Sequence, residues 1–140
     1  MKYVLIVIFA LPVLVAGYAV YMAVVANPGV ERELREDPDG ERARKVMLMT
    51  LPSGRSLPVN YIRDGDTVYA AADGRWWREL RGQGEPVELL VRGETLVGRA
   101  RAIEGDPDHR AAVFDRLRPS APKLFGTLVQ IDLVPRPRAR

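Results

Sequence analysis

The loop Pro52-Ser53-Gly54-Arg55-Ser56 carries the residue types that bind anions. Backbone N–H groups beside a glycine, two hydroxyls and an arginine fork are the groups that cradle phosphates in proteins. The same residue types also form ordinary solvated turns. The sequence therefore leaves two interpretations of this loop, a phosphate cradle and a plain turn.

A pair of adjacent tryptophans, Trp76 and Trp77, opens the segment RWWRELRG, which predicts one or two helical turns that end at Gly82. Adjacent side chains on a helix point in different directions. We expect one of the two rings in the core, with the other free to stack on a flat ring or to lie at a bilayer interface. Core packing of both rings is the alternative.

Other catalytic chemistry finds little support in the sequence. There is no cysteine, which excludes disulfides, cysteine-ligated zinc, iron–sulfur clusters and thiol catalysis. The single histidine, His109, leaves no histidine cluster for a metal, and we interpret it as a surface residue near a helix cap. No P-loop and no dinucleotide glycine pattern is present. No catalytic residue and no metal ligand is predicted.

The formal charge of +3 comes from arginines that alternate with acidic residues. Because these arginines form no basic face, we predict no nucleic-acid partner.

An uncharged apolar run of 24 residues, positions 3–26, lies near the N-terminus. A helix of that length spans ~36 Å, against ~30 Å for the hydrocarbon core of a membrane. We therefore predict a single transmembrane anchor over residues 1–27, with a signal peptide cleaved after Ala26 as the alternative. More Lys and Arg follow the run than precede it, which predicts a single-pass cell-membrane protein with lipid contact and a cytoplasmic C-terminal domain.

Three further segments are predicted from composition. Residues 28–43 carry alternating charges with Pro38 and Gly40, which predicts a solvated tether containing a turn or two of helix. Residues 44–135 form one folded domain, and residues 136–140 form a basic tail.

The domain is predicted to be mainly β. Asp64-Gly65-Asp66 is typical of a tight hairpin turn, and Asp106-Pro107 is typical of a helix start, with Pro119 as its stop. Six strands and one main helix predict a small antiparallel barrel capped by that helix. The predicted strands are VMLMTL, LPVNYIRD, TVYAAA, PVELLV, TLVGRARAIE and LFGTLVQIDLVP.

Residues 44–135 resemble the deazaflavin (F420)-dependent nitroreductase family, within the split β-barrel flavin and deazaflavin oxidoreductases. The resemblance is carried by Pro58, by the hairpin from Tyr61 to Gly65, by Trp76 with the leucine after it, and by the strand–strand–helix run that ends at Leu117. It implies a six-stranded split barrel that binds coenzyme F420, or FMN in relatives, and passes a hydride to quinones or nitro compounds. It also implies a homodimer.

The resemblance places the cofactor between the first hairpin loop and the aromatic segment. Arg55 matches an arginine with which the family grips the cofactor's acidic tail, and Asn60 stands where the family has a tyrosine. The implied cofactor-binding residues are Ser53, Gly54, Arg55, Ser56, Pro58, Asn60, Trp76 and Trp77.

Two functions follow as hypotheses. The first is a membrane-anchored reductase that uses F420 or FMN, with quinones or other lipophilic molecules as acceptors. The second is a membrane-tethered split-barrel module for binding or assembly, without a cofactor. The short loop Asp73-Gly74-Arg75, where the family has a longer glycine-rich segment, motivates the second hypothesis.

Overall fold

A computed structural model describes residues 2–21, 27–120 and 126–135. Its elements are the helices α1 (Lys2–Tyr21), α2 (Asn27–Glu36) and α3 (Pro107–Leu117), two 3₁₀ helices (Arg42–Arg44 and Trp76–Leu80), and the strands β1 (Val46–Thr50), β2 (Ser56–Asp64), β3 (Thr67–Ala72), β4 (Glu85–Val91), β5 (Glu94–Ile103) and β6 (Thr127–Leu133).

The six strands form a closed antiparallel barrel in the order β1-β2-β3-β6-β5-β4, and β4 pairs back with β1. The prediction of a mainly β, six-stranded antiparallel barrel is confirmed. Closure leaves every described strand with two neighbours, so the barrel has no open edge of unpaired backbone groups. The turn predicted after Asp64 is present, and Gly65 adopts the positive φ of 61° that such a turn requires.

Alternation along the strands divides their side chains between the inside and the outside of the barrel. Met47, Met49, Val68, Leu89 and Ile131 fill the interior and are all fully buried. Trp76 and Leu80 of the second 3₁₀ helix join this core.

Helix α3 covers part of the outer surface, where it packs on β2, β3 and β6. Asp106 caps the helix, since its carboxylate accepts the backbone N–H of His109 at 3.2 Å, and Pro107 occupies the first turn. Val113 and Phe114 are buried against Ala71 and Leu128. The predicted capping helix is therefore confirmed together with its start.

The segment predicted to be a solvated tether is more ordered than expected. Helix α2 runs for ten residues and packs on β1 and β2. Leu34 is buried against Ala43 and Leu48, a small second core outside the barrel. The burial of Leu34 stabilises a helix that local composition alone does not favour.

The predicted transmembrane helix before the barrel is wrong. None of the helices within the described residues combines the length and the apolar character needed to cross a membrane. The prediction used all of residues 3–26, and the structure describes α1 over Lys2–Tyr21. Residues 22–26, with the alternative cleavage position, and the basic tail at 136–140 lie outside the described residues.

Candidate functional site

A cleft of about 260 Å³ lies outside the barrel where β2, the end of β3 and the second 3₁₀ helix meet. We call it the small cleft. It is lined by Pro58, Val59, Asn60, Ala71, Asp73, Gly74, Trp76 and Arg118. Three of the predicted cofactor-binding residues, Pro58, Asn60 and Trp76, therefore line one cleft.

The alternation of β2 places Pro58 and Asn60 on this wall. Val59 and Tyr61 belong to the barrel core, so the residues on either side of Val59 face outward. Pro58 is half-buried beside the chain of β1, and Asn60 is exposed. The regular strand thus fixes the backbone from which the exposed amide of Asn60 extends.

An ion pair forms the polar wall of the small cleft. Nη2 of Arg118 donates to Oδ2 of Asp73 at 2.6 Å. The guanidinium of Arg118 also lies 5.4 Å from the centre of the Phe114 ring. Arg118 therefore offers donors, Asp73 offers an acceptor, and Asn60 offers both. Trp76 adds an aromatic surface beside these groups.

A larger cleft of about 640 Å³ adjoins the small cleft, and Asn60 lines both. We call it the large cleft. It lies between the chain before β1, strand β2 and the end of α3. It is lined by Glu33, Glu41, Arg42, Arg44, Lys45, Val46, Asn60, Tyr61, Ile62, Arg116, Leu117 and Pro119. Pockets of this size hold organic molecules of moderate size.

Tyr61 holds the rim of the large cleft in place. Its hydroxyl donates to the carbonyl of Ala43 at 3.0 Å, and its backbone N–H donates to the carbonyl of Lys45 at 3.0 Å. Burial raises the pKa of the Tyr61 hydroxyl, although the charges of Arg92 and Arg63 oppose the shift. The hydroxyl therefore stays protonated and serves as a donor.

Arg116 reaches the large cleft from α3 and is paired with Asp64. Its Nη1 and Nη2 donate to the two carboxylate oxygens of Asp64 at 2.8 and 2.7 Å. This fork holds the pKa of Asp64 below its ordinary value and raises that of Arg116.

The predicted phosphate loop lines neither of these two clefts. The N–H and hydroxyl of Ser53 donate to the carboxylate of Glu79 at 3.3 and 3.1 Å, and the N–H of Gly54 donates to the carbonyl of Leu51 at 2.9 Å. Ser53 of this loop thus binds a carboxylate of the same chain, that of Glu79. The hydroxyls of Ser56 and Thr50 form a hydrogen bond with each other, with their oxygens 2.8 Å apart.

Two other predicted residues also lie apart from the clefts. Arg55 is exposed in the loop. Trp77 is half-buried, and the guanidinium of Arg81 lies 4.6 Å from its ring centre. Trp76, by contrast, is only 9% exposed. One ring is therefore in the core, and Trp77 also packs against that core with part of its ring exposed.

Sequence reasoning did not identify Arg118 or the large cleft. A signal for Arg118 was present, because Arg110, Phe114 and Arg118 recur every fourth residue and therefore share one helix face. Arg110, which precedes Phe114 by four residues, also places its guanidinium 4.2 Å from the centre of the Phe114 ring. The large cleft has no such signal, since its walls come from distant segments.

The fold and the two clefts define a six-stranded closed antiparallel β-barrel with adjoining binding clefts on its outer surface. No protein-family model matches the chain, and no curated protein matches it either. The site is therefore interpreted from its own geometry and chemistry.

Proposed function

We propose that the chain is a split-barrel oxidoreductase that uses F420 or FMN and delivers a hydride to a quinone or nitro acceptor. The observation that carries the proposal is the junction of the two clefts at Asn60. A flat ring in the small cleft and an acceptor in the large cleft would meet at this residue. Ligand sites of this kind combine an apolar surface with a few fixed polar groups.

The polar residues of the small cleft complement the imide edge of a flavin or deazaflavin ring. The imide edge of such a ring carries carbonyl acceptors and an N–H donor. Arg118 and the amide of Asn60 supply donors, whereas Asp73 and the amide oxygen supply acceptors. Pro58 supplies a half-buried apolar contact, and the small exposed part of Trp76 lies beside it.

A reduced flavin or deazaflavin held by Asn60, Asp73 and Arg118 would supply a hydride, and a quinone acceptor would also take one proton from solvent to become the hydroquinone. The protein binds and orients the two reactants. Asn60, held on β2, fixes where they meet, and the Arg118–Asp73 pair fixes the edge of the ring. Because the proton comes from solvent, no acidic side chain has to act as the proton donor.

The test uses the full chain with reduced F420, or with reduced FMN under argon, and 1,4-naphthoquinone as the acceptor. We expect cofactor oxidation that depends on protein concentration and falls at least ~5-fold in Asn60→Ala, because a fixed hydrogen bond is worth ~1 kcal/mol. Gln83→Ala, which removes an exposed amide outside both clefts, is the matched control and should keep the wild-type rate. Equal rates with and without protein would overturn the proposal.

A second candidate function rests on the contact between Ser53 and Glu79. Because Glu79 already accepts both hydrogen bonds of Ser53, the chain supplies its own carboxylate to part of the loop that was predicted to bind phosphate. A module that binds or assembles without a cofactor would use the loop in this closed form. Failure of both F420 and FMN to bind the full chain would favour this candidate.

A further inference from the structure

The large cleft carries an excess of positive charge. Four cationic side chains line it against two acidic ones. Three of the cations have a carboxylate partner: Arg42 lies 2.8 Å from Glu33, Lys45 lies 3.8 Å from Glu41, and Arg116 is bound to Asp64. The fourth, Arg44, makes no ion pair with any residue in the described ranges and is exposed.

The backbone of Arg44 is fixed from both sides. Ala43 is 1% exposed and packs against Leu34. Tyr61 donates to the carbonyls of both neighbours of Arg44, as described above. The guanidinium therefore extends from an anchored point, which reduces the entropy lost when it binds an anion.

The opposite part of the large cleft is apolar. Ile62 and Leu117 are half-buried there, and Pro119 lies at its edge. A ligand with a flat apolar body gains by covering these side chains, whereas a small inorganic anion does not. The cleft thus combines one unpaired cation with a hydrophobic wall.

We propose that the large cleft binds an organic monoanion, with its carboxylate or sulfonate on Arg44 and its apolar body against Ile62 and Leu117. A single unpaired cation favours one negative charge over a polyphosphate, because the other three cations already have carboxylate partners. For the reductase of the proposed function, on which this part of the inference rests, the preferred acceptor is an anionic quinone or nitro compound. As a statement about binding, the inference stands on the cleft alone.

The test compares two probes of similar shape, anthraquinone-2-sulfonate and the neutral 2-(hydroxymethyl)anthraquinone, on the full chain without cofactor. Isothermal titration should show the sulfonate binding at least ~10-fold more tightly, as expected for one charge-assisted hydrogen bond. Arg44→Gln should abolish this preference, and Arg44→Lys should retain part of it. Arg101→Gln, an exposed arginine on β5 outside both clefts, is the matched control and should leave the preference unchanged.

Circular dichroism establishes that each variant is folded before binding is compared. Equal affinities for the two probes in the wild-type chain, or a preference that survives Arg44→Gln, would overturn the inference.

A competition experiment separates this inference from the proposed function. The sulfonate should remain bound when F420 or FMN is saturating, because the cofactor ring belongs in the small cleft. Displacement of the sulfonate by the cofactor would contradict its assignment as an acceptor and would place the cofactor's own anionic tail in the large cleft. Sulfonate binding that depends on Arg44, in a chain that binds neither cofactor, would support the anion site and defeat the reductase.

Discussion

The guanidinium of Arg118 lies 2.6 Å from the carboxylate of Asp73 and links the residue after α3 to the residue after β3. These residues are 45 positions apart in the sequence. Only 10% of the Arg118 side chain is exposed, whereas 67% of the Asp73 side chain is exposed. The wall of the small cleft is therefore formed by a tertiary contact and depends on how α3 packs on the barrel.

Replacing Arg118 by alanine should lower the free energy of unfolding by ~1–2 kcal/mol. The change removes the pair with Asp73 and the stacking on Phe114, while the exposure of Asp73 limits the value of the ion pair. Urea denaturation measures the difference. Arg101→Ala removes an exposed arginine from β5 and should change stability by less than ~0.5 kcal/mol. Equal stability of the two variants would show that the Arg118 contact contributes nothing.

Gly98→Ala should destabilise the barrel by ~1–3 kcal/mol. A methyl group at this position would lie 2.7 Å from Cγ2 of Ile131 and 2.9 Å from the carbonyl oxygen of Asp132, and the backbone oxygen cannot move away. Gly29→Ala in α2 is the matched control, because no atom lies within 4 Å of its added methyl group. We expect the control to be neutral or slightly more stable in thermal unfolding, since alanine favours helix. A Gly98→Ala protein as stable as the control would contradict the close approach of β5 and β6.

Tyr61→Phe should cost ~1 kcal/mol at pH 7, because it leaves the carbonyl of Ala43 without its donor while the ring stays in the core. Burial raises the pKa of the folded Tyr61 above its ordinary value of 10.0. The stability that burial of the neutral hydroxyl gives is complete below pH 10.0 and declines as the pH rises through the folded pKa. Denaturation measured from neutral to strongly alkaline pH should show this decline in the wild type and a smaller one in Tyr61→Phe. Identical alkaline profiles would contradict the buried hydroxyl.

Asp64 should titrate below its ordinary pKa of 3.8 because Arg116 donates two hydrogen bonds to its carboxylate. The stability that this pair gives is present above pH 3.8 and is lost as the pH falls through the lower, folded pKa. NMR titration of the side-chain carboxyl carbon measures the pKa directly. Arg116→Gln should return it towards 3.8, and Arg101→Gln should leave it low. A normal pKa in the wild type would mean that the fork is not formed in solution.

The sequence was informative wherever structure is determined by neighbouring residues. The glycine at position 65 marked the hairpin, and Asp106 with Pro107 marked the start of α3, because turns and caps depend on a few adjacent dihedral angles and donors. Short apolar or alternating runs bounded by turn residues located all six strands of the barrel.

Contacts between residues far apart in the sequence could not be predicted in this way. Helix α2 owes its length to the burial of Leu34 against Leu48, and Glu79 fills the Ser53 loop from 26 positions away. Pro58, Asn60 and Trp76, which the resemblance implied, line the small cleft, whereas the loop residues 53–56 and Trp77 lie outside both clefts. Arg44 belongs to no local motif, and the spacing of Arg118 from Phe114 does not reveal its partner Asp73, so both roles emerge only from the folded chain.

Equilibrium titration of the full chain with F420 and with FMN tests the central claim most directly. We predict saturable quenching of cofactor fluorescence with a Kd of ~10 μM or tighter for at least one of the two, weakened at least ~5-fold by Asn60→Ala and unchanged by Gln83→Ala. Absence of binding by both cofactors at ~100 μM protein would contradict the account, as would binding that the Asn60 substitution leaves unchanged.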